Sequence, residues 1–231
     1  EGSDPSRLVI VKRIIELHQD GTDPKGLARA LEIVIRMDPA LSERENAARR
    51  LVELCDGPVD DPALAILSWQ ALVKSARGEE ALDRLDALYA ATGDDAGMID
   101  VLSERASRAK DPERTRALAF RAAELRAARA PDRARAIEIW REHLAGFGAS
   151  TEALVRLAIL LEQQRDFRGL AAVLAELVHF GSPEERAVTF SRLAQIRLVE
   201  LRDGPGAIEA LAAALAQEPK DANARRLAER L

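Results

Sequence analysis

Few residues of this sequence have the types and spacing that metal or acid–base chemistry requires. The histidines His18, His143 and His179 lie far apart, so no pair has the i, i+4 spacing of a helical metal site. Each falls near the end of a predicted helix, where an imidazole interacts favourably with the helix dipole. We therefore expect structural roles for all three and predict no metal site.

A glycine-rich stretch, GFGAS at 146–150, is superficially similar to a phosphate-binding loop. Such loops follow a strand and open a helix, whereas this stretch follows a predicted helix, so a turn is the favoured interpretation. The sequence contains no serine nucleophile elbow, no P-loop and no HExxH motif. It therefore predicts a non-catalytic protein without a bound cofactor.

The remaining reactive side chains have simpler interpretations. Cys55 is the only cysteine, which excludes an intramolecular disulfide and a cysteine-based zinc site. It ends an apolar helix with no adjacent base, so we expect a packing residue rather than a reactive thiol. Asp94 and Asp95 lie at a predicted helix start, where N-capping accounts for them.

The composition indicates an all-α protein. Hydrophobic residues make up 47% of the 231 residues but aromatic residues only 3%, so alanine and leucine must provide most of the packing. These residues, with glutamate and arginine, are strong helix formers. Glycine and proline concentrate between the helical patterns, and no segment alternates with a period of two for long enough to predict a sheet.

The net charge of −5 disfavours a protein that binds the nucleic-acid backbone. A locally basic stretch at 114–135 keeps an RNA-binding helical repeat as a less favoured alternative. The N-terminal apolar run has no signal-peptide features and is interrupted by Lys12 and Arg13, so it predicts no membrane insertion. We expect a cytoplasmic protein, or a periplasmic one if a leader has been removed. Its arginine- and alanine-rich composition points to a GC-rich bacterial genome.

The sequence repeats itself with a long period. Residues 112–145 align without a gap on 183–216 at an offset of 71, with matched proline, arginine and aspartate, and the same offset superimposes Trp69 on Trp140. Residues 80–104 align on 152–176 at an offset of 72. The period therefore consists of two unlike hairpins, which is typical of a solenoid.

The periodicity predicts helices separated by short connections, so consecutive helices should be antiparallel neighbours. The predicted helices are 5–19, 25–38, 42–55, 62–76, 79–92, 95–110, 112–130, 132–147, 150–164, 166–180, 183–202, 205–218 and 221–231. They form hairpins near 5–39, 42–76, 79–110, 112–147, 150–180 and 183–219, with a terminal helix at 221–231. The chain stops at a helix start, so we expect it to be a fragment of a longer protein.

The last hairpin carries a recognisable spacing of small and large residues. Ala194 lies midway along its first helix, and Ala207, Leu211, Ala214 and Pro219 follow in its second. Small side chains at 207 and 214 would let two helices approach closely, with Leu211 in the groove between them. This pattern resembles the tetratricopeptide repeat. The resemblance implies a single domain over 1–231 that forms a right-handed α-solenoid, a superhelix of about six antiparallel hairpins plus a C-terminal helix.

In the tetratricopeptide repeat family that this sequence resembles, the first helices of the hairpins line a concave groove. This groove receives a peptide or a helix of a partner protein. Carried onto this sequence, the candidate groove residues are Arg49, Glu53, Asp83, Ala87, Phe120, Glu124, Val155, Ile159, Ser191 and Gln195. The resemblance therefore implies a non-catalytic interaction scaffold or adaptor. The alternative is a docking or regulatory section of a larger enzyme or signalling protein.

Three arginines form a second candidate site. Arg50, Arg121 and Arg192 recur one double repeat apart, and a row of guanidinium groups could bind an acidic peptide. The favoured alternative is an arginine that faces solvent or forms a salt bridge within its own repeat and was copied with the repeat, because surface ion pairs are common and weak.

Overall fold

The computed structural model describes residues 5–18, 23–219 and 222–229. The chain divides into two compact units, Glu1–Arg108 and Ala109–Leu231. The expectation of a single domain over 1–231 stays a prediction. In the described residues every regular element is an α-helix, which confirms the all-α class.

The first unit contains six helices in its described part: α1 Pro5–Leu17, α2 Pro24–Met37, α3 Leu41–Cys55, α4 Pro62–Leu72, α5 Gly78–Thr92 and α6 Asp95–Arg108. The second contains seven in its described part: α7 Pro112–Ala128, α8 Arg133–Phe147, α9 Thr151–Gln164, α10 Phe167–Leu177, α11 Pro183–Val199, α12 Gly204–Gln217 and α13 Ala222–Ala228. Most helix ends agree with the predicted ones within two residues. Positions 221, 230 and 231 of the predicted last helix lie outside the described residues.

Aspartate side chains start many of these helices. Asp61 accepts hydrogen bonds from the backbone N–H groups of Ala63 and Leu64, and Asp111 caps α7 in the same way. A proline follows each of these two aspartates at the first helical position, where its missing N–H costs nothing. The N-cap oxygen satisfies donors that the helix itself cannot pair, which is why the sequence predicts these starts well.

Two helices of the second unit begin with an Asp-x-x-Gly pattern. The Asp166 carboxylate accepts the Gly169 N–H at 2.9 Å, and the Asp203 carboxylate accepts the Gly206 N–H at 3.0 Å. A Cβ at either glycine would collide with the capping carboxylate. The pattern therefore requires glycine at this position for space.

Three helices whose predicted ends lie within the described residues stop three or four residues early: α4, α10 and α11, the last at Val199 rather than 202. α4 stops at Leu72 rather than 76, since the Ser75 hydroxyl bonds the Leu72 carbonyl and the Arg108 guanidinium bonds the Val73 carbonyl. These side chains satisfy carbonyl groups that a longer helix would have paired with its own backbone. α10 stops at Leu177 rather than 180, and the chain continues as a tight turn.

Within each unit, every helix packs against the next one along the chain. In the first unit α2 also packs on α4, and the core residues include Leu31, Leu51, Leu72 and Leu82. The core of the second unit is built mainly from leucine and alanine around Trp140. Each unit is therefore a run of consecutive helical hairpins, the organisation of an α-solenoid.

The small residues of the last hairpin lie inside its packing, as the spacing predicts. Ala194 of α11 and both Ala207 and Ala214 of α12 have no exposed surface, and Leu211 is also buried. Alanine at these positions permits the close approach of α11 and α12.

None of the described helices is long and apolar enough to cross a membrane.

Candidate partner-binding surface

The first helices of the second unit's hairpins, α7, α9 and α11, carry the most apolar of the candidate groove positions. Val155 and Ile159 lie one turn apart on α9, and 39% and 41% of their respective surfaces are exposed. Phe120 on α7 is half-buried, and Glu124 follows it by one turn. We call the exposed sides of these three helices the α7/α9/α11 surface.

Two ion pairs cross the α7/α9/α11 surface from helix to helix. Arg156 Nη2 of α9 lies 2.7 Å from Glu124 Oε1 of α7, and Arg192 Nη2 of α11 lies 2.8 Å from Glu162 Oε2 of α9. The four side chains are 39–53% exposed to solvent, so each pair contributes under about 1 kcal/mol to stability. The two bridges show that the three helices present one continuous surface, with charged pairs beside the apolar side chains.

The structure modifies the candidate set on α11. Ser191 is buried, so it adds little to the surface, whereas Gln195 is exposed. Val188, one turn before Ser191, is 63% exposed and was not among the predicted residues. The i, i+3, i+7 spacing of 188, 191 and 195 was available in the sequence, and extending the predicted stripe by one turn would have found Val188.

The candidate positions of the first unit are polar. Arg49 lies 3.7 Å from Glu45 on the same helix, and Glu53 is exposed. The Asp83 carboxylate of α5 forms an ion pair with the Arg105 guanidinium of α6 at 2.7 Å. The fourth candidate position, Ala87, is exposed, and the role of all four in binding stays a prediction.

The arginine column has different partners along the chain. Arg192 of α11 forms the ion pair with Glu162 of α9, which belongs to the preceding hairpin. Arg121 is exposed and Arg50 is half-buried. Their use as a common acidic-peptide site stays a prediction.

An aromatic cluster lies beneath one end of the α7/α9/α11 surface. The Phe120 ring lies 5.2 Å from Trp140 and 5.9 Å from His143, and His143 stacks on Phe147 at 5.2 Å. These centroid distances are those of favourable aromatic pairs. The imidazole of His143 is thus part of the packing, as expected for a structural histidine.

Burial lowers the pKa of His143 below its ordinary value of about 6.5. A cavity of about 390 Å³ adjoins this residue, and Arg116 and Glu152 are the charged side chains that line it. The folded state therefore favours the neutral imidazole, because the buried charged form would lose its hydration without gaining an ion-pair partner.

We expect acidification to destabilise the folded protein through His143. The pKa of His143 is lower in the folded than in the unfolded protein. Above about pH 6.5 the imidazole is neutral in both states, and its contribution to the free energy of unfolding is complete. That contribution is lost as the pH falls from there through the folded pKa. The free energy of unfolding, measured in urea at pH 7.5 and 5.5, should fall more for the parent than for His143→Leu. The exposed His179→Leu makes the same chemical change at a surface position, so it serves as the matched control and should behave as the parent. Equal losses for His143→Leu and the parent would contradict this assignment.

Other side chains with reactive potential have structural surroundings. Burial, with a smaller effect from Asp61 and Asp56, raises the pKa of Cys55 to about 11, so the thiol is not ionised at neutral pH. The GFGAS stretch ends α8 at Phe147 and continues as a short connection in which Ser150 caps α9. Within the residues that the structure describes, no histidine, cysteine or carboxylate cluster could hold a metal ion.

No protein-family model matches the chain, and none of the curated proteins matches it. Its fold is similar to several solved structures. One is from a functional characterisation of PilF of Pseudomonas aeruginosa, with 14% identity, a TM-score of 0.38, and coverage of 98% of this chain and 100% of that one. Another is the C-terminal part of a TPR repeat-containing protein of Cytophaga hutchinsonii, with 14% identity, a TM-score of 0.42 and coverage of 95% and 87%.

A thermophilic TPR protein of Thermus thermophilus is also similar, with 18% identity, a TM-score of 0.32, and coverage of 89% of this chain and 96% of that one. These TM-scores are low, so the class of protein is assigned from the helix packing itself. Each of the two units is an α-solenoid of consecutive hairpins, and the last hairpin of the second unit has tetratricopeptide-like spacing.

Proposed function

We propose that the chain is a non-catalytic interaction scaffold whose α7/α9/α11 surface binds a peptide or a helix of a partner protein. The observation that carries the proposal is the exposed apolar set Val155, Ile159 and Val188, which lies on the outer sides of two neighbouring first helices. Exposed apolar clusters with polar surroundings are characteristic of interaction sites.

The surroundings of this set suit a reversible interface. In each of the pairs Glu124–Arg156 and Glu162–Arg192 the two opposite charges neutralise each other. Both pairs lie beside the apolar side chains. A partner can therefore bury the apolar set without leaving a single unpaired charge beneath it. An apolar centre with a polar rim is the usual arrangement of protein interfaces.

Charged substitutions at exposed apolar positions test this proposal. Phe120 is unsuitable, because its ring packs on Trp140 and a charge there would disturb the core. We would compare the parent with Val155→Glu/Ile159→Glu and with the matched control Ile208→Glu, which changes an exposed isoleucine of α12. Circular dichroism should show the same helicity for all three.

The variants are then used as baits in lysate of the source cells, with bound proteins identified by mass spectrometry. A partner held by the parent and by Ile208→Glu should be reduced at least about tenfold by the double variant, since a buried unpaired carboxylate costs more than the 1.4 kcal/mol of one decade in affinity. Equal retention by the double variant would place the binding surface elsewhere.

A further inference from the structure

We propose that the first unit carries a second binding site, a cleft between α4 and α6 that receives an amphipathic helix of a partner protein. The cleft has a volume of about 590 Å³, within the usual range of binding pockets. All the residues that line it belong to the first unit. The inference is therefore independent of the function proposed for the α7/α9/α11 surface.

Two helices form the walls of the α4/α6 cleft. α4 contributes Leu67, Gln70 and Ala71, the turn after it contributes Lys74, and α6 contributes Gly97, Asp100, Val101 and Glu104. The α6 set has the i, i+3, i+4, i+7 spacing of one side of a helix, so this wall runs for about 10 Å along its axis, and the α4 set covers the last turn of its helix. Both helices pack on α5, which therefore forms the floor. An elongated trough between two helix faces has the shape that accepts a third helix.

The floor of the α4/α6 cleft is apolar. Leu82, Leu85 and Tyr89 of α5 are buried there, and Val101 of α6 is buried beside them. At the mouth, Leu41 leaves 55% of its surface exposed. A partner helix that placed an apolar stripe along the trough would remove from water mainly Leu41 and the half-buried Leu67 and Ala71 at the mouth, and would rest on the buried floor.

The deepest polar groups are already paired with each other. Gln70 Nε2 donates to the Tyr89 hydroxyl at 2.7 Å, which fixes the phenol at one end of the floor. The Tyr89 ring occupies the space that a Cβ at Gly97 would need, so glycine lets α6 approach the ring. The partner helix therefore meets an ordered floor, and it does not need to supply a hydrogen bond to the Tyr89 hydroxyl or to Gln70.

Charge distinguishes the two edges of the cleft. Arg44 and Lys74 lie on the α3 and α4 side, whereas Asp100 and Glu104 lie on the α6 side. Arg44 Nε is buried without a hydrogen-bond acceptor among the described residues, so this guanidinium retains a donor that an acidic group could satisfy after the side chain turns. The Glu104 carboxylate forms an ion pair with the Arg108 guanidinium at 2.7 Å, whereas Asp100 is exposed.

These edges define the chemistry of the occupant. A helix bound in the trough should carry acidic residues on the flank that faces Arg44 and Lys74, and basic residues on the flank that faces Asp100. Opposite charges at a rim fix the orientation of a partner and exclude the reversed one. A helix presents both flanks along the full length of the walls.

The test uses a phage-displayed library of amphipathic helical peptides, with a randomised i, i+3, i+4, i+7 stripe and randomised flanks, selected on the whole chain. We expect enriched peptides with an apolar stripe, acidic residues on one flank and basic residues on the other. Affinities of synthetic versions are measured by fluorescence anisotropy against the parent, Lys74→Glu/Asp100→Lys and Val155→Glu/Ile159→Glu. Lys74 and Asp100 are both exposed, so the charge exchange should leave the fold intact, which circular dichroism checks.

The charge-exchanged variant should bind the enriched peptides at least about tenfold more weakly and should bind peptides with exchanged flanks more tightly. Val155→Glu/Ile159→Glu should bind as the parent does, which separates this cleft from the α7/α9/α11 surface. The proposal would be overturned by a selection that yields no binders, by flanks of random charge, or by affinities that the charge exchange leaves unchanged. Loss of binding in Val155→Glu/Ile159→Glu alone would assign the peptides to the other surface and would also overturn it.

Discussion

Replacing Trp140 with alanine is expected to lower the free energy of unfolding by about 3–5 kcal/mol, the usual cost of removing a buried indole. Only 2% of Trp140 is exposed, and its ring packs 5.2 Å from Phe120 and 5.9 Å from His143. The substitution therefore removes apolar contacts from three sides and leaves a cavity that the neighbouring rings can fill only in part. Since domains are stable by about 5–15 kcal/mol, this is a large fraction of the total.

Urea unfolding followed by circular dichroism measures this effect, with Trp140→Phe as the matched control. Phenylalanine keeps an aromatic ring at the site, so its cost should be clearly smaller than that of alanine. In Trp140→Ala the remaining tryptophan is Trp69, which belongs to the core of the first unit, so its fluorescence reports on that core separately. A cost below about 1 kcal/mol for Trp140→Ala would mean that the aromatic cluster is not tightly packed.

The double repeat places both tryptophans at equivalent positions, but the side chains around them differ. Trp69, one period before Trp140, is also buried, at 3% exposure. Its ring contacts the guanidinium groups of Arg77 and Arg84 instead of other aromatic rings. Periodicity determines which positions face the core, whereas the partners depend on side chains of adjacent helices that differ between the copies.

Helix boundaries were predictable because short-range chemistry sets them. The capping aspartates and the prolines after them act within one turn, so the sequence contains the whole interaction. The early end of α4 was not predictable in this way, since Arg108, which binds the Val73 carbonyl, lies on another helix. Contacts between distant segments, unlike caps, require the packed structure.

The candidate surface was selected through the family resemblance, and the structure determines how exposed each of its members is. The family resemblance selected α9 positions that are exposed, Val155 and Ile159, but on α11 it selected the buried Ser191 and missed Val188. A small rotation of a helix about its axis exchanges neighbouring positions between core and surface, and that rotation is set by packing. The α4/α6 cleft was missed entirely, because it arises from second helices that the groove model assigns no role.

The close packing of α11 and α12 leads to a prediction about added volume. Ala214→Leu is expected to lower the free energy of unfolding by about 1–3 kcal/mol, because the added atoms must fit where the structure leaves no exposed surface. Leucine and alanine have similar helix propensities, so the loss reports on packing between helices rather than on the helix itself.

Ala212→Leu is the matched control, because it makes the same chemical change two residues earlier on an exposed position of α12. Its effect should stay within about 0.5 kcal/mol, as for most surface substitutions. Urea unfolding curves of the two variants and the parent, fitted with a common slope, give the comparison directly. Equal stabilities for Ala214→Leu and Ala212→Leu would show that the small residue at 214 is not needed for the approach of the two helices. A selective loss at 214 would instead identify alanine there as the physical basis of the spacing shared by Ala207, Leu211 and Ala214.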